Sequence, residues 1–81
     1  MDKKEYLALK KHIKTLCRDS ILELSDKVGL TKYDTELLLY LNNDMGRINT
    51  SLSLGICERK YTKDLKNCLN KVYDYLKRTN Q

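Results

Sequence analysis

The chain has 81 residues and a formal net charge of +5 at pH 7, with three glycines, no proline and no tryptophan. A chain of this length supports a single small domain, 1–81, with a thin hydrophobic core. No apolar run approaches the ~20 residues of a membrane-spanning helix, and the charged N-terminal stretch lacks the apolar centre of a signal peptide. We therefore expect a soluble, cytoplasmic protein without a membrane partner.

The excess of positive charge is confined to the C-terminal part of the sequence. Residues 1–44 contain eight lysines and arginines against eight acids, whereas residues 45–81 contain eight against three. A basic surface restricted to one segment is typical of proteins that bind polyanions, because each neutralised phosphate releases condensed counterions. An anionic membrane fits less well, since the bases alternate with polar residues and the opposite face lacks Trp and Phe.

The reactive side chains indicate neither a metal centre nor an active site. Cys17, Cys57 and Cys68 are widely spaced without a CxxC pair, and His12 is the only histidine. A zinc site needs more ligands at closer spacing, so we expect three reduced thiols. His12 falls on the polar side of a helix among lysines, which favours a solvated side chain over a general base. We predict no enzymatic activity, no cofactor and no metal.

The chain is predicted to be all helical, beginning with two helices before Gly29. Apolar residues at three-and-four spacing predict a first helix from about Lys3 to Cys17, with lysines on its other side. Ser20 followed by Glu23 has the pattern of a capping box, which predicts a second helix to about Val28. The apolar face of the first helix consists of Tyr6, Leu9, Ile13, Leu16 and Cys17.

The third predicted helix contains the densest apolar block of the chain. Thr31 with Asp34 repeats the capping-box pattern at its start. Turn-forming residues at 42–46 end this helix and separate it from the next. The residues that we expect in the core are Leu37, Leu38, Tyr40 and Leu41.

Two helices around Gly55 complete the prediction of about five helices. A short fourth helix runs roughly from Arg47 to Ser53, and a long fifth helix runs from Glu58 to about Arg78, with Cys57 at its N-cap. Gly55 tolerates a positive φ and a close backbone approach, as a helix-turn-helix requires. An ordinary helical hairpin fits this glycine equally well. The inward face of the fifth helix consists of Tyr61, Leu65, Cys68, Leu69, Val72 and Leu76.

Two segments in fixed order carry a family resemblance: LTKYDTELLLYL, and the turn LGIC followed by ERKYTKDLKNCLNKVYDYL. From Leu30 onward they resemble the DNA-binding region 4 of bacterial sigma factors and the small phage and mobile-element regulators that share it. Cys57 replaces the family's capping serine, and Thr50 stands where the family prefers an aliphatic residue. The resemblance implies a helix-turn-helix module at 30–81. Residues 1–29 are then a helical extension that acts as a brace, a dimerisation arm or a partner-binding surface.

The resemblance also implies that the first half of the long helix enters the major groove of duplex DNA. Arg59 and Lys63 can donate to guanine. Glu58 can accept from cytosine, and Thr62 can contact a thymine methyl. The residues that match the family's groove-facing positions are Glu58, Arg59, Thr62, Lys63 and Lys66.

Three further bases, Arg47, Lys60 and Lys71, fit phosphate contacts, which set the register on DNA without reading sequence. The long helix spans roughly 31 Å at about 1.5 Å per residue, more than a recognition helix inserts into a groove. Its second half, with Tyr75 and Leu76, therefore packs on the N-terminal helices or pairs with a second copy in a homodimer.

Three classes of function remain open. The preferred one is a small transcriptional regulator of phage or mobile-element type that binds duplex DNA. The second is a protein-directed module that binds RNA polymerase, a nuclease or another host factor through the same basic helical surface. The third is RNA binding, through base stacking on the six tyrosines, although Tyr40 and Tyr61 are predicted to be buried. The basic charge favours the first class.

Overall fold

The computed structural model describes residues 1–79, which form five α-helices and no strand. Helix accounts for 82% of the structure, which confirms the predicted all-α class. The fourth and fifth helices begin at the predicted residues and each end one residue later than expected. The five helices are α1 (Lys3–Thr15), α2 (Arg18–Val28), α3 (Lys32–Asn42), α4 (Arg47–Leu54) and α5 (Glu58–Thr79).

Four of the five helices build one hydrophobic core. Helices α1 and α2 pack on α3, and α5 contacts all three. The completely buried side chains include Ile13 from α1, Ile21 from α2, Leu38 from α3 and Leu69 from α5. Helix α4 packs mainly on α5, and its buried residues are polar. Residues 1–29 thus share the core of the segment that follows, as a helical brace would.

The inward face of α5 is the one that its apolar periodicity predicts. Tyr61 and Leu65 are at most 5% exposed, and Leu76 is partly buried against the core. The second half of α5 therefore packs within the chain, which is the first of the two expected arrangements. The homodimer stays a prediction. The buried residues of the helix are Tyr61, Leu65, Cys68, Leu69 and Val72.

The boundary between the first two helices differs from the prediction. Helix α1 ends at Thr15, and Cys17 is the exposed N-cap of α2 rather than part of the apolar face of α1. The predicted capping box at Ser20 is wrong: Ser20 is the third residue of α2, and its hydroxyl lies 3.2 Å from the Cys17 Sγ. Glu23 pairs instead with Lys27 at 3.0 Å.

A side chain from α3 explains why α1 ends early. The Asn42 amide Nδ2 donates to the carbonyl oxygen of Ile13 at 2.9 Å and to that of Leu16. The last carbonyls of a helix have no N–H partner within it, and Asn42 supplies a donor at the point where α1 ends. Leu16 is extended, with φ −80° and ψ 152°, so the chain leaves the helix there. A complete capping box lies instead at the start of α1, between Asp2 and Glu5.

The connection between α4 and α5 consists of residues 55–57. Gly55 has φ +70° and ψ 31°, the left-handed conformation that the sequence predicts for it. Its N–H donates to the carbonyl of Leu52 at 3.2 Å, and the N–H of Ile56 donates to that of Ser51 at 3.0 Å. The second bond closes the six-residue ring of a Schellman motif, which ends α4 and reverses the chain.

Replacing Gly55 by valine is expected to destabilise the fold by about 1–2 kcal/mol, because a residue with a Cβ is strained in the left-handed region. Nothing lies within 4 Å of the added Cβ, so the effect comes from the backbone and not from a clash. Gly55→Asn is the matched control, since asparagine enters this region more readily. Urea unfolding measures both variants, and an equal loss in the two would show that the backbone conformation is not the cause.

Candidate nucleic-acid interface

The start of α5 is held by a sulfur cap and by an ion pair to α4. The Cys57 Sγ accepts a hydrogen bond from the backbone N–H of Lys60 at 3.4 Å, which confirms its predicted N-cap position. A thiol is a weak acceptor. A second contact joins the two helices, because the Arg47 Nε donates to the Glu58 Oε1 at 2.9 Å. Together they fix the first turn of α5 against the first turn of α4.

Arg59, Lys63 and Lys66 form a row of bases on α5, here called the outward stripe. Their three-and-four spacing places them on one face of the helix. All three are exposed. Within residues 1–79, none of them takes part in a salt bridge. Their charge therefore faces solvent without a carboxylate partner in this part of the chain.

Thr62 and Glu58 lie beside the outward stripe, on the side of α4. The Thr62 hydroxyl donates to the backbone carbonyl of Glu58 at 3.0 Å, so its polar group is engaged by the helix itself. Its methyl group is left for an apolar contact. Glu58 accepts from Arg47 through Oε1, which leaves Oε2 for another donor.

Lys60 lies on the other edge of α5, towards the start of α3. Its Nζ is 2.9 Å from the Asp64 Oδ2 and 5.7 Å from the centre of the Tyr33 ring. The Tyr33 hydroxyl donates to the same carboxylate oxygen at 2.7 Å. Lys60 is thus partly neutralised and held against a ring, although 56% of its side chain remains exposed.

Lys71 reaches the first turn of α3. Its Nζ lies 3.3 Å from the Asp34 Oδ2. Thr31 is the N-cap of α3 as predicted and accepts from the Asp34 N–H at 3.2 Å, but the Asp34 carboxylate bonds Lys71 instead of completing the capping box. All three predicted phosphate contacts, Arg47, Lys60 and Lys71, therefore have a carboxylate within 3.3 Å. A phosphate would have to compete with that carboxylate.

The Asp64 carboxylate and the Tyr33 hydroxyl shift each other's pKa in opposite directions. The hydrogen bond from Tyr33, followed by that from Lys60, lowers the pKa of Asp64. Burial and the bond to Asp64 raise the pKa of Tyr33 to about 12. Asp64 thus stabilises the fold above its unfolded pKa, and this contribution is lost as pH falls through the lowered pKa. The contribution of Tyr33 is complete below about pH 10 and is lost as pH rises towards 12.

Tyr33→Phe is expected to cost about 1.5–3 kcal/mol at pH 7, the usual range for a hydrogen bond to a charged group. At pH values below the lowered pKa of Asp64 the loss should shrink, because a protonated Asp64 is a weaker acceptor. Urea unfolding at the two pH values measures the difference. Tyr40→Phe is the matched control, since Tyr40 lies on the same helix and is half-buried rather than in the core as predicted, and its hydroxyl has no hydrogen-bond partner within residues 1–79. A pH-independent loss for Tyr33→Phe would contradict the assignment.

A groove of about 660 Å³ separates α1 from the starts of α4 and α5. Lys10 and Lys14 of α1 line one side, and Arg47 and Thr62 line the other. The sequence places both lysines on the polar face of α1, but it does not predict that this face borders α5. That position depends on how α1 packs across the core. In the sequence, only the four-residue spacing of the two lysines indicates that they lie together on one face of α1.

Helix α4 exposes apolar residues and buries polar ones. Ile48 and Leu52, one turn apart, are 59% and 74% exposed. Thr50, which stands at the position where the resemblance expects an aliphatic residue, is completely buried, and its hydroxyl donates to the Met45 carbonyl at 3.1 Å. The sequence prediction assigned no role to the exposed pair. An apolar pair beside a basic helix is a feature of protein-binding surfaces.

The reactive side chains do not converge in the described part of the chain. Cys17, Cys57 and Cys68 are free thiols, and burial raises the pKa of Cys68 to about 12. His12 is exposed, as predicted. Residues 1–79 contain no group of three potential metal ligands. None of their helices has both the length and the apolar character needed to cross a membrane.

No protein-family model matches this sequence, and no curated protein or solved structure is significantly similar to it. The resemblance to sigma-factor region 4 therefore stays a prediction from the sequence motifs. The charges, contacts and exposed surfaces of the helices are the observations that support a proposed function.

Proposed function

We propose that this protein is a sequence-specific transcriptional regulator of phage or mobile-element type that binds duplex DNA with the first half of α5 in the major groove. The outward stripe carries the proposal: three exposed bases on one face of the helix that follows the Gly55 turn. An α-helix fits the major groove, where every base pair presents its own pattern of donors and acceptors. At 22 residues α5 is about 33 Å long, so its first half can enter the groove while its second half stays in the core.

In this proposal, the side chains in and around the outward stripe have different roles in recognition. Arg59 and Lys63 donate to guanine, because exposed cationic donors that have no carboxylate partner within residues 1–79 can meet base edges. Thr62 contributes its methyl to thymine, and Glu58 offers its second carboxylate oxygen to cytosine. Lys66 extends the stripe by one turn. These residues would read sequence, whereas Arg47, Lys60 and Lys71 would set the register on the phosphates after exchanging their carboxylate partners.

A protein-directed function is the second candidate, and the exposed Ile48 and Leu52 favour it. Two large apolar side chains beside basic residues could form the centre of an interface with RNA polymerase, a nuclease or another host factor. The variant Leu52→Ser would separate the two functions, because Leu52, unlike Ile48, does not line the groove between α1 and the starts of α4 and α5. In the DNA proposal it binds duplex as the parent does, whereas a protein-directed module loses affinity for purified RNA polymerase or a purified nuclease.

RNA binding and dimerisation are less well supported. None of the six tyrosines is an exposed platform in the described structure, and stacking with splayed RNA bases needs an accessible ring. A homodimer would add a second half-site and lengthen the recognised sequence. Leu76 is partly buried against the core, so only part of its side chain is left for a dimer contact. Light scattering over a range of protein concentrations tests this point.

An electrophoretic shift series tests the proposed function. The probe is the DNA that flanks the protein's own gene, at two salt concentrations and with unrelated duplex as competitor. We expect a complex that survives the competitor and weakens with rising salt, with a slope of about −0.9 in log affinity against log salt for each phosphate contacted. Equal affinity for every duplex would contradict sequence recognition, and no binding at low salt would contradict the proposal as a whole.

A further inference from the structure

Helix α1 brings two lysines to the edge of the proposed DNA interface. Lys10 and Lys14 line the same groove as Arg47 and Thr62, which come from the other half of the chain. Arg47 is tied to Glu58 at the start of α5, so the groove runs directly along the flank of that helix. The balanced charge of residues 1–44 gives no indication of such a surface. It exists only because α1 packs against α3 and α5.

The residues that line this groove carry an excess of positive charge. Asp44 is the one acidic residue among them, whereas three lining residues are basic: Lys10, Lys14 and Arg47. The Asp44 carboxylate is 80% exposed and lies 3.0 Å from the Lys14 Nζ, an exposed ion pair of the kind that contributes little free energy. The Lys10 Nζ lies 5.4 Å from the centre of the Tyr6 ring. It has no salt bridge within residues 1–79, so its charge is open to an anion.

The helix that carries the lysines of the groove is anchored in the core. Leu9 is 7% exposed and Ile13 is completely buried, and both anchor α1 in the core next to Lys10 and Lys14. A basic group on an anchored helix loses less conformational entropy on binding than one on a flexible arm. The groove is therefore preformed next to the start of α5, with basic residues along its sides and apolar residues such as Leu41 and Met45 in its lining.

We infer that this groove seats the sugar-phosphate backbone of the duplex whose bases α5 reads, with Lys10 and Lys14 as phosphate contacts supplied by α1. The inference rests on the proposed function. A backbone strand borders the major groove on each side, so a helix in the groove has phosphates along both of its flanks. On the α3 flank, Lys60 and Lys71 are paired with acids. On the α1 flank, Lys14 is paired with the exposed Asp44, but Lys10 has no acid partner within residues 1–79. Residues 1–29 thus have a second role besides bracing the core.

Salt-dependent binding of the full chain to a fluorescently labelled duplex of random sequence tests the inference, since binding to such a probe is due to phosphate contacts. The test variant is Lys10→Ala, Lys14→Ala. The matched control is Lys4→Ala, Lys11→Ala, which removes the same charge from exposed positions of the same helix that do not line the groove. Alanine favours helix, so all variants should keep the parental circular dichroism spectrum.

In the test variant, the slope of log affinity against log salt should become less negative by about 1.8, because each lost phosphate contact accounts for about 0.9. The control should change it much less. If the parent binds duplex and the test variant keeps the parental slope, or changes no more than the control, the inference is wrong and the proposed function stands. If the parent binds no duplex at low salt, the proposed function fails and the inference fails with it.

Discussion

The Leu69→Ala variant is expected to lose about 2–5 kcal/mol of stability, because it leaves a cavity in the core that α5 shares with the first three helices. Leu69 is completely buried. The total free energy of unfolding of a natural domain is only about 5–15 kcal/mol. In a domain of this size each kcal/mol shifts the melting temperature by about 4–8 °C, so a drop of at least about 8 °C should be seen.

Leu52→Ala is the matched control for this prediction. It makes the same change on α4, where the side chain is 74% exposed, and it should alter stability by no more than about 0.5 kcal/mol. Thermal unfolding followed by circular dichroism measures both variants. Equal effects would show that Leu69 does not occupy the packed position that the structure gives it.

Arg59→Ala and Lys63→Ala are each expected to weaken binding to a specific duplex by about 1–3 kcal/mol and to relax the preference at one base pair. Both side chains are exposed bases of the outward stripe. Fluorescence anisotropy with the specific duplex and its single base-pair variants measures affinity and preference together. The relaxed base pair should differ between the two variants, because the residues lie one turn apart.

Lys60→Ala and Lys71→Ala are the comparison variants. They should weaken binding to all duplexes alike, and by less than the loss of an unpaired base, since each lysine already has a carboxylate partner. If Arg59→Ala and Lys63→Ala bind every duplex as the parent does while a purified host protein still binds, the DNA proposal fails. The protein-directed alternative would then take its place.

The parts of the fold that depend on neighbours within a few residues could be predicted from the sequence. Thr31 caps α3 through an amide three residues away, and Gly55 takes the positive φ that a tight turn needs. The buried face of α5 follows from helical periodicity alone. The same short-range reasoning failed at Ser20, although its capping pattern matches that of Thr31. There α1 ends earlier than predicted, at carbonyls that Asn42 bonds from 29 residues away, and α2 begins at Arg18.

The same holds for the candidate interface: features that depend on nearby residues could be predicted, and features that depend on helix packing could not. The exposure of Arg59, Lys63 and Lys66 could be predicted, because it depends only on which face of α5 is apolar. Of the carboxylates that pair with the predicted phosphate contacts, Asp64 lies four residues after Lys60 on the same helix, a spacing from which that pair could be predicted. The pairs of Lys71 with Asp34 and of Arg47 with Glu58 join different helices and form only when the helices pack. The approach of α1 to the flank of α5 is likewise a property of the packed core.

A nuclear magnetic resonance titration of the isotope-labelled protein with a short duplex at low salt tests most directly whether the first half of α5 contacts duplex DNA, as we propose. We predict that the largest changes in backbone amide signals occur at residues 58–66, with a second set at 10–14. The amides of 21–28 in α2, on an element outside this surface, should stay nearly unchanged. Changes confined to α2, or no change at a large excess of duplex, would contradict the proposal.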